Sequence, residues 1–274
     1  MTDADETRRL PRIVAVTGAL AAVVWSMRVG GGMAVLALML ATTTIVPLGV
    51  ALARPRGGSA LRLYRVIVYA LPFDAACGVL GWSAAPDDTG AIVCAGVHVV
   101  VSAMIGIFGL ARLASRRRKL LASPEELAID VGLLLLPIGA AWLFASRAAM
   151  KPLGFEEPIV LFTAAHFHYA GFAAPVVLGG VGRLASDAAP RAYRVAAASV
   201  CAGVPLTAIG ITTTHTVEVA SAILLACGML VASALMVFVA SPRAWSRSPI
   251  AACVLACAGL ALVGTMALAA TFAT

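Results

Sequence analysis

Residues 158–182 read Pro158-Ile-Val-Leu-Phe-Thr163-Ala-Ala-His166-Phe-His168-Tyr169-Ala-Gly171-Phe172-Ala-Ala-Pro175-Val-Val-Leu-Gly-Gly-Val-Gly182. No residue in this run carries a fixed charge, and the run exceeds the roughly 20 apolar residues that an α-helix needs to cross a bilayer. Glu156 and Glu157 precede it, where negative charge suits the positive end of a helix, and Pro158 fits the first helical turn. Two histidines and a tyrosine nevertheless lie within it. An ionisable group inside a membrane helix costs free energy and marks a candidate functional site. One stretch thus declares both the solvent and the place to look for chemistry.

Working outward, the chain holds eight further apolar runs of spanning length, at about 11–27, 32–53, 64–85, 91–113, 124–147, 193–213, 216–240 and 249–272. The fold class expected is all-α: a polytopic transmembrane bundle of about nine spans forming one domain over residues 1–274. Composition agrees. Hydrophobic residues make up 61% of the 274 and charged ones 12%, against roughly a quarter charged in a soluble domain. The net charge of +7 comes from short basic clusters between apolar runs, which argues for topology signals and against nucleic acid. The six cysteines all fall inside apolar runs without a CxxC, so neither a disulfide framework nor a zinc finger is expected. Arg8, Arg9 and Arg12 open the first run as they would a signal peptide, but a second span follows directly, so a retained helix is expected.

Basic residues orient the bundle. With the N-terminus in the cytoplasm, only Arg28, Arg147 and Lys151 of the 20 Lys and Arg fall outside, the asymmetry that membrane insertion demands. N-in, C-out in the cytoplasmic membrane is the expectation, and an even number of spans would scramble the split. Ser123-Pro124-Glu125-Glu126 has the form of a capping box and starts the fifth run. Prolines at 47, 72, 137, 175 and 205 lie within runs; Pro175 bears on the carbonyl of Gly171 and predicts a distorted helix beside the histidines.

The chain has four histidines, His98, His166, His168 and His215. At about 1.5 Å of rise per residue, His98, His166, His168 and Asp74 all lie roughly 10–15 Å below the outer ends of their runs. His215 and Glu218 sit at the outer junction of the seventh and eighth runs. Ionisable groups at one level can meet and neutralise one another. The reading is one polar pocket open to the outside. Residues two apart on a helix point about 200° apart, so His166 and His168 serve different partners unless the helix is distorted. Tyr169 shares a face with His166. Asp130, near the inner side, reads as structural.

Three chemistries fit this set. An acid–base enzyme would use His166, His168, Asp74, His98 and Tyr169 on a lipophilic small molecule, by isomerisation, cyclisation or hydrolysis, with Trp82, His215, Glu218 and Phe172 contacting the substrate. A divalent metal or haem would be held by His98, His166 and His168 for redox chemistry or sensing. A proton or small-solute pathway would use the same groups as relays. Neither a nucleophile elbow, a P-loop nor a dinucleotide fingerprint occurs.

The stretch Thr163-Ala-Ala-His166-Phe-His168-Tyr169-Ala-Gly171-Phe172 resembles the signature of the YndJ-like family of bacterial membrane proteins. That resemblance implies a polytopic membrane architecture and a central role for the motif. Ala165-His166-Phe167-His168-Tyr169 is also locally similar to the haem-ligand helix of haem–copper oxidases, where two histidines on opposite faces serve two haems. The chain is too short for that fold, but the likeness keeps haem and metal among the candidates.

Overall fold

The computed structural model describes residues 3–29, 32–55, 60–117 and 122–272, and all of its regular structure there is helical. Gly30 and Gly31 of the first turn, and Arg56, Arg118 and Lys119 of the basic clusters, lie outside the described residues. The helices in chain order are α1 Asp3–Val29, α2 Met33–Leu52, α3 Ala60–Leu80, α4 Thr89–Ser115, α5 Pro124–Arg147, α6 Ile159–Ala185, α7 Pro190–Thr213, α8 His215–Trp245 and α9 Pro249–Phe272. The first eight are long and apolar enough to cross a membrane, and α9 is apolar through Val263. Their large exposed side chains include Ile13, Phe73, Ile107, Phe162 and Phe238, a surface suited to lipid rather than water.

Local sequence explains where the helices start. Asp88 caps α4 by accepting from the Gly90 amide at 2.7 Å. Pro124 opens α5 and Pro190 opens α7, positions where the missing N–H is harmless. Three helices widen into a π turn, at Ala41–Ile45 in α2, Phe167–Ala173 in α6 and Met236–Ala240 in α8. Each lies just before a proline, at 47, 175 and 242. The proline ring crowds the carbonyl four residues back, and a wider turn relieves it. In α2 the hydroxyls of Thr42 and Thr43 donate to the Met39 carbonyl at 3.1 and 2.7 Å, re-engaging backbone that the wider turn loosens. The expected distortion beside the histidines is therefore real. Pro72, Pro137 and Pro205 sit within regular α-helix.

By internal packing the chain forms two compact units. The first comprises residues up to Arg117 together with Asp130–Val176, and the second Arg118–Ile129 with Val177–Thr274. In the first unit α1 is tied to its neighbours by Trp25 donating to Ser83 Oγ (3.0 Å) and Thr44 donating to the Ala15 carbonyl (3.3 Å). Asp130, fully buried, accepts from Arg112 Nε at 2.7 Å and also pairs with Arg116. Arg112 further donates to the Ala53 carbonyl at 2.6 Å. Asp130 is thus a structural ion-pair hub.

The second unit is built on the α7–α8 hairpin. Thr214 joins the two helices and caps α8 by accepting from the Val217 amide. The helices approach so closely at Gly210 that a Cβ there would stand 2.3 Å from the Glu218 nitrogen. Small residues at such crossings let membrane helices pack by van der Waals contact, since lipid provides no hydrophobic drive between them. Arg183 grips Glu126 with two donors at 2.8 and 3.0 Å.

Candidate functional site

Within the first unit, three helices bring Asp74, His98 and His168 into one hydrogen-bonded chain. Asp74 on α3, His98 on α4 and His168 on α6 are at most 2% exposed. Asp74 Oδ1 and Oδ2 stand 3.0 and 3.2 Å from His98 Nδ1. His98 Nε2 meets His168 Nε2 at 2.9 Å. His168 Nδ1 donates to the Ala164 carbonyl at 2.8 Å. The two rings lie nearly parallel, 20° apart with centroids at 5.2 Å. Ser102, one turn along α4, reaches His98 Nε2 at 3.4 Å.

The backbone of α6 explains how His168 arrives here. It lies inside the π turn, which rotates it away from the direction a regular helix would impose. On α5, Gly139 leaves the space that the imidazole fills: a Cβ would stand 2.9 Å from His168 Nδ1 and 3.0 Å from Phe167 Cβ.

Proton positions along the chain follow from donor and acceptor chemistry. A carbonyl only accepts, so His168 Nδ1 carries a hydrogen. The facing Nε2 atoms need one hydrogen between them, because two lone pairs at 2.9 Å repel. The third lies between His98 Nδ1 and Asp74. Three protons on one carboxyl and two imidazoles give zero net charge, whether Asp74 is neutral or forms an ion pair with a protonated imidazole. A proton can therefore shift along the chain without changing the charge buried in hydrocarbon, the quantity that is costly there.

A cavity of about 20 Å³, room for one water, lies against His98 and is lined also by Thr42, Cys77, Trp82, Cys94 and Arg147. Arg147 is buried; its Nη2 donates to the carbonyls of Ala84 (2.6 Å) and Gly81 (3.2 Å), and its guanidinium stacks 4.6 Å from the centre of the Trp82 ring. Among the described residues Arg147 Nε has no hydrogen-bond partner.

The other expected site residues make other contacts. Tyr169 donates to the Ala37 carbonyl at 2.8 Å, binding α6 to α2. Phe172 is fully buried with its ring against Gly49, a packing residue. His166 is half-buried, and its Nε2 has no hydrogen-bond partner among the described residues. His215, with 86% of its side chain exposed, pairs with Glu218 at 3.3 Å in the second unit. Among the described residues no three or more His, Cys, Asp or Glu are grouped to hold a metal ion, and of the expected trio His98 and His168 meet while His166 stays outside their hydrogen bond. Geometry gives the reason. Two imidazoles on one tetrahedral ion, each bonded at 2.0–2.1 Å, stand about 3.3 Å apart. Nε2 of His98 and His168 are closer than that and face one another.

Residues 34–274, which include all of these groups, match the YndJ-like protein family. The chain belongs to the YndJ-like family. It is also similar to the "Uncharacterized membrane protein YndJ" of Bacillus subtilis (strain 168), at 41% identity over 59 residues. That match covers 22% of this chain and 11% of the relative's length. No solved structure matches the chain. That relative's name as a membrane protein agrees with the eight helices of spanning length, and the Asp74–His98–His168 chain comes from the geometry.

Arg147, Ser102 and Thr42 were not singled out from the sequence. Arg147 had a signal: it is one of the few basic residues on the side of the bundle where basic residues are scarce. Ser102 had a weaker one, at i+4 from His98 on the same helical face.

Proposed function

We propose that this multi-pass membrane protein is an intramembrane acid–base enzyme acting on a lipophilic small molecule. It resides in the cytoplasmic membrane with its N-terminus inside and its C-terminus outside. The observation that carries the reading is the buried Asp74–His98–His168 chain. Asp74 orients His98 and balances its charge, as a carboxylate does for a catalytic imidazole. His98 is the proton-transferring group, and His168 receives or returns the proton through the Nε2–Nε2 bond. Tyr169 and Phe172 hold α6 in the register that places His168. The water-sized space against His98 favours hydrolysis over isomerisation or cyclisation, because a water is the one reactant it fits. Arg147 and Trp82 stand at the cavity wall, where substrate would enter.

A proton or solute pathway is supported less well. Toward the other end of α4 the next buried ionisable residue after His98 is Arg112, roughly 20 Å away by helical rise, and it is tied to Asp130.

The test uses membranes enriched in the wild-type protein or in His98→Ala, each incubated with total bacterial lipid extract and followed by mass spectrometry. Species converted by wild type and left unconverted by a folded His98→Ala variant support the reading. Identical product profiles reject it.

A further inference from the structure

Two cysteines line the same cavity as His98 and take no part in the hydrogen-bonded chain. Asp74 and His98 pair across the α3–α4 hairpin. Cys77 lies one turn further along α3 and Cys94 one turn back along α4, so the next level toward the connecting turn brings the two together. Their thiols interact directly, and both are free cysteines. The helices close up just beyond them: a Cβ at Gly81 would stand 2.9 Å from Cys94 Cβ and 3.9 Å from its sulfur. Both cysteines border the cavity of about 20 Å³, together with Thr42 and Arg147.

Arg147 brings an unbalanced charge to that space. It is 7% exposed, and its contacts are two backbone carbonyls and the face of Trp82. A guanidinium keeps its charge even when buried. Glu157 attracts it from a distance but accepts from the Leu161 amide, and no carboxylate among the described residues pairs with Arg147. The one acidic side chain outside the described set, Asp3, opens α1, and it is the far end of α1 that meets Ser83 beside Trp82. The Asp74–His98–His168 chain is neutral as a whole. The cavity wall therefore carries one positive charge without a contacting partner, which is costly in hydrocarbon. A water in the cavity leaves that charge in place, and an anionic group removes it.

We propose that Cys77 and Cys94 bind one monovalent copper ion, Cu(I), as a two-sulfur site balanced by Arg147. Thiolate sulfur is the soft donor that Cu(I) selects. Cu(I) accepts two ligands in line, whereas a structural zinc asks for four. Binding replaces both thiol protons: one Cu(I) and two thiols give a bis-thiolate of charge −1 and two released protons, with no change of oxidation state. That charge cancels the guanidinium's, and the cavity becomes neutral. The ion takes the space that the acid–base reading gives to a water, so an occupied site stops hydrolysis; binding itself needs no part of that reading.

The full-length protein is purified in detergent under reducing, oxygen-free conditions, and Cu(I) is titrated against a chromophoric Cu(I) chelator. Wild type should hold one copper at the pair. A variant carrying Cys201→Ser, Cys227→Ser, Cys253→Ser and Cys257→Ser keeps only the pair and should hold the same copper, with two sulfur neighbours by X-ray absorption. Cys77→Ser with Cys94→Ser should lose it; if that variant does not fold, Cys77→Ala with Cys94→Ala takes its place. An opposite charge close by favours a buried charged group by about 10-fold to 1,000-fold, so Arg147→Gln should weaken binding by at least about tenfold. Any of four results overturns the proposal: no copper in the variant that keeps only the pair, copper retained equally without the pair, copper bound by nitrogen and oxygen alone, or affinity unchanged in Arg147→Gln.

Discussion

The two units of this protein are written in the same apolar alphabet and differ in what they bury. Among the described residues, every buried Asp, His or Arg belongs to the first unit: Asp74, His98, Arg112, Asp130, Arg147 and His168. The buried polar groups described in the second are the serines Ser199, Ser221 and Ser233 and the hydroxyl of Tyr193. Ser221 and Ser233 each return their hydroxyl to a carbonyl of their own helix. A serine that bonds within its helix adds no obligation between helices. A buried aspartate cannot be left so, because an unpaired charge in lipid costs several kcal/mol. The helices of the second unit meet mainly by close packing at small residues, with Tyr193 donating to the Leu178 carbonyl and Arg183 pairing with Glu126, whereas the first buries charged groups whose contacts must all be made together. Chemistry belongs where such contacts exist.

The contrast can be broken in order of expected effect. Asp130→Ala removes the carboxylate that balances the buried Arg112 and should destabilise the protein by about 3–5 kcal/mol, read by thermal or denaturant unfolding in detergent. A loss below about 1 kcal/mol would make the hub ornamental. Next comes the acid–base chain. His98→Ala, or Asp74→Ala, leaves a buried group unsatisfied, for about 1–3 kcal/mol of stability. His98→Ala should also lower turnover by about 100-fold to 10,000-fold once a substrate is found. Infrared difference spectra of wild type and Asp74→Asn sharpen the same point. A protonated-carboxyl band present only in wild type places the proton on Asp74, and a carboxylate band lost in the variant places it on the imidazoles. Gly139→Ala puts a methyl against His168 and should cost about 1–3 kcal/mol while displacing that ring; an unchanged melting temperature would show that the space is slack. At the low end, Ser233→Ala in the second unit should change stability by about 0.6 kcal/mol or less, and His215→Ala should be silent. A large effect at Ser233 would erase the distinction between the units.

Much of the first unit was legible in the chain. Depth along a helix is a matter of counting residues, and counting put Asp74, His98 and His168 at one level. Direction around the helix is not so simple. The prolines predicted distortion in α6, but a π turn changes azimuth by an amount that residue order does not state, and that change sends His168 to His98. His166, two residues earlier, stays outside the chain. Tyr169 and Phe172 carried the same polar or aromatic promise and turned out to tie α6 to α2. His215 and Glu218 pair with each other in the second unit. By sequence they fall at the outer junction of the seventh and eighth runs, above the level of Asp74, His98 and His168.

Composition and the spacing of charge determined by themselves that this is a multi-pass helical membrane protein. Lipid leaves the backbone few alternatives, and apolar length is countable. Only the tertiary structure decided which ionisable groups meet. A hydrogen bond between helices depends on rotation and crossing to within an ångström, and both are set by packing at glycines and π turns rather than by hydropathy.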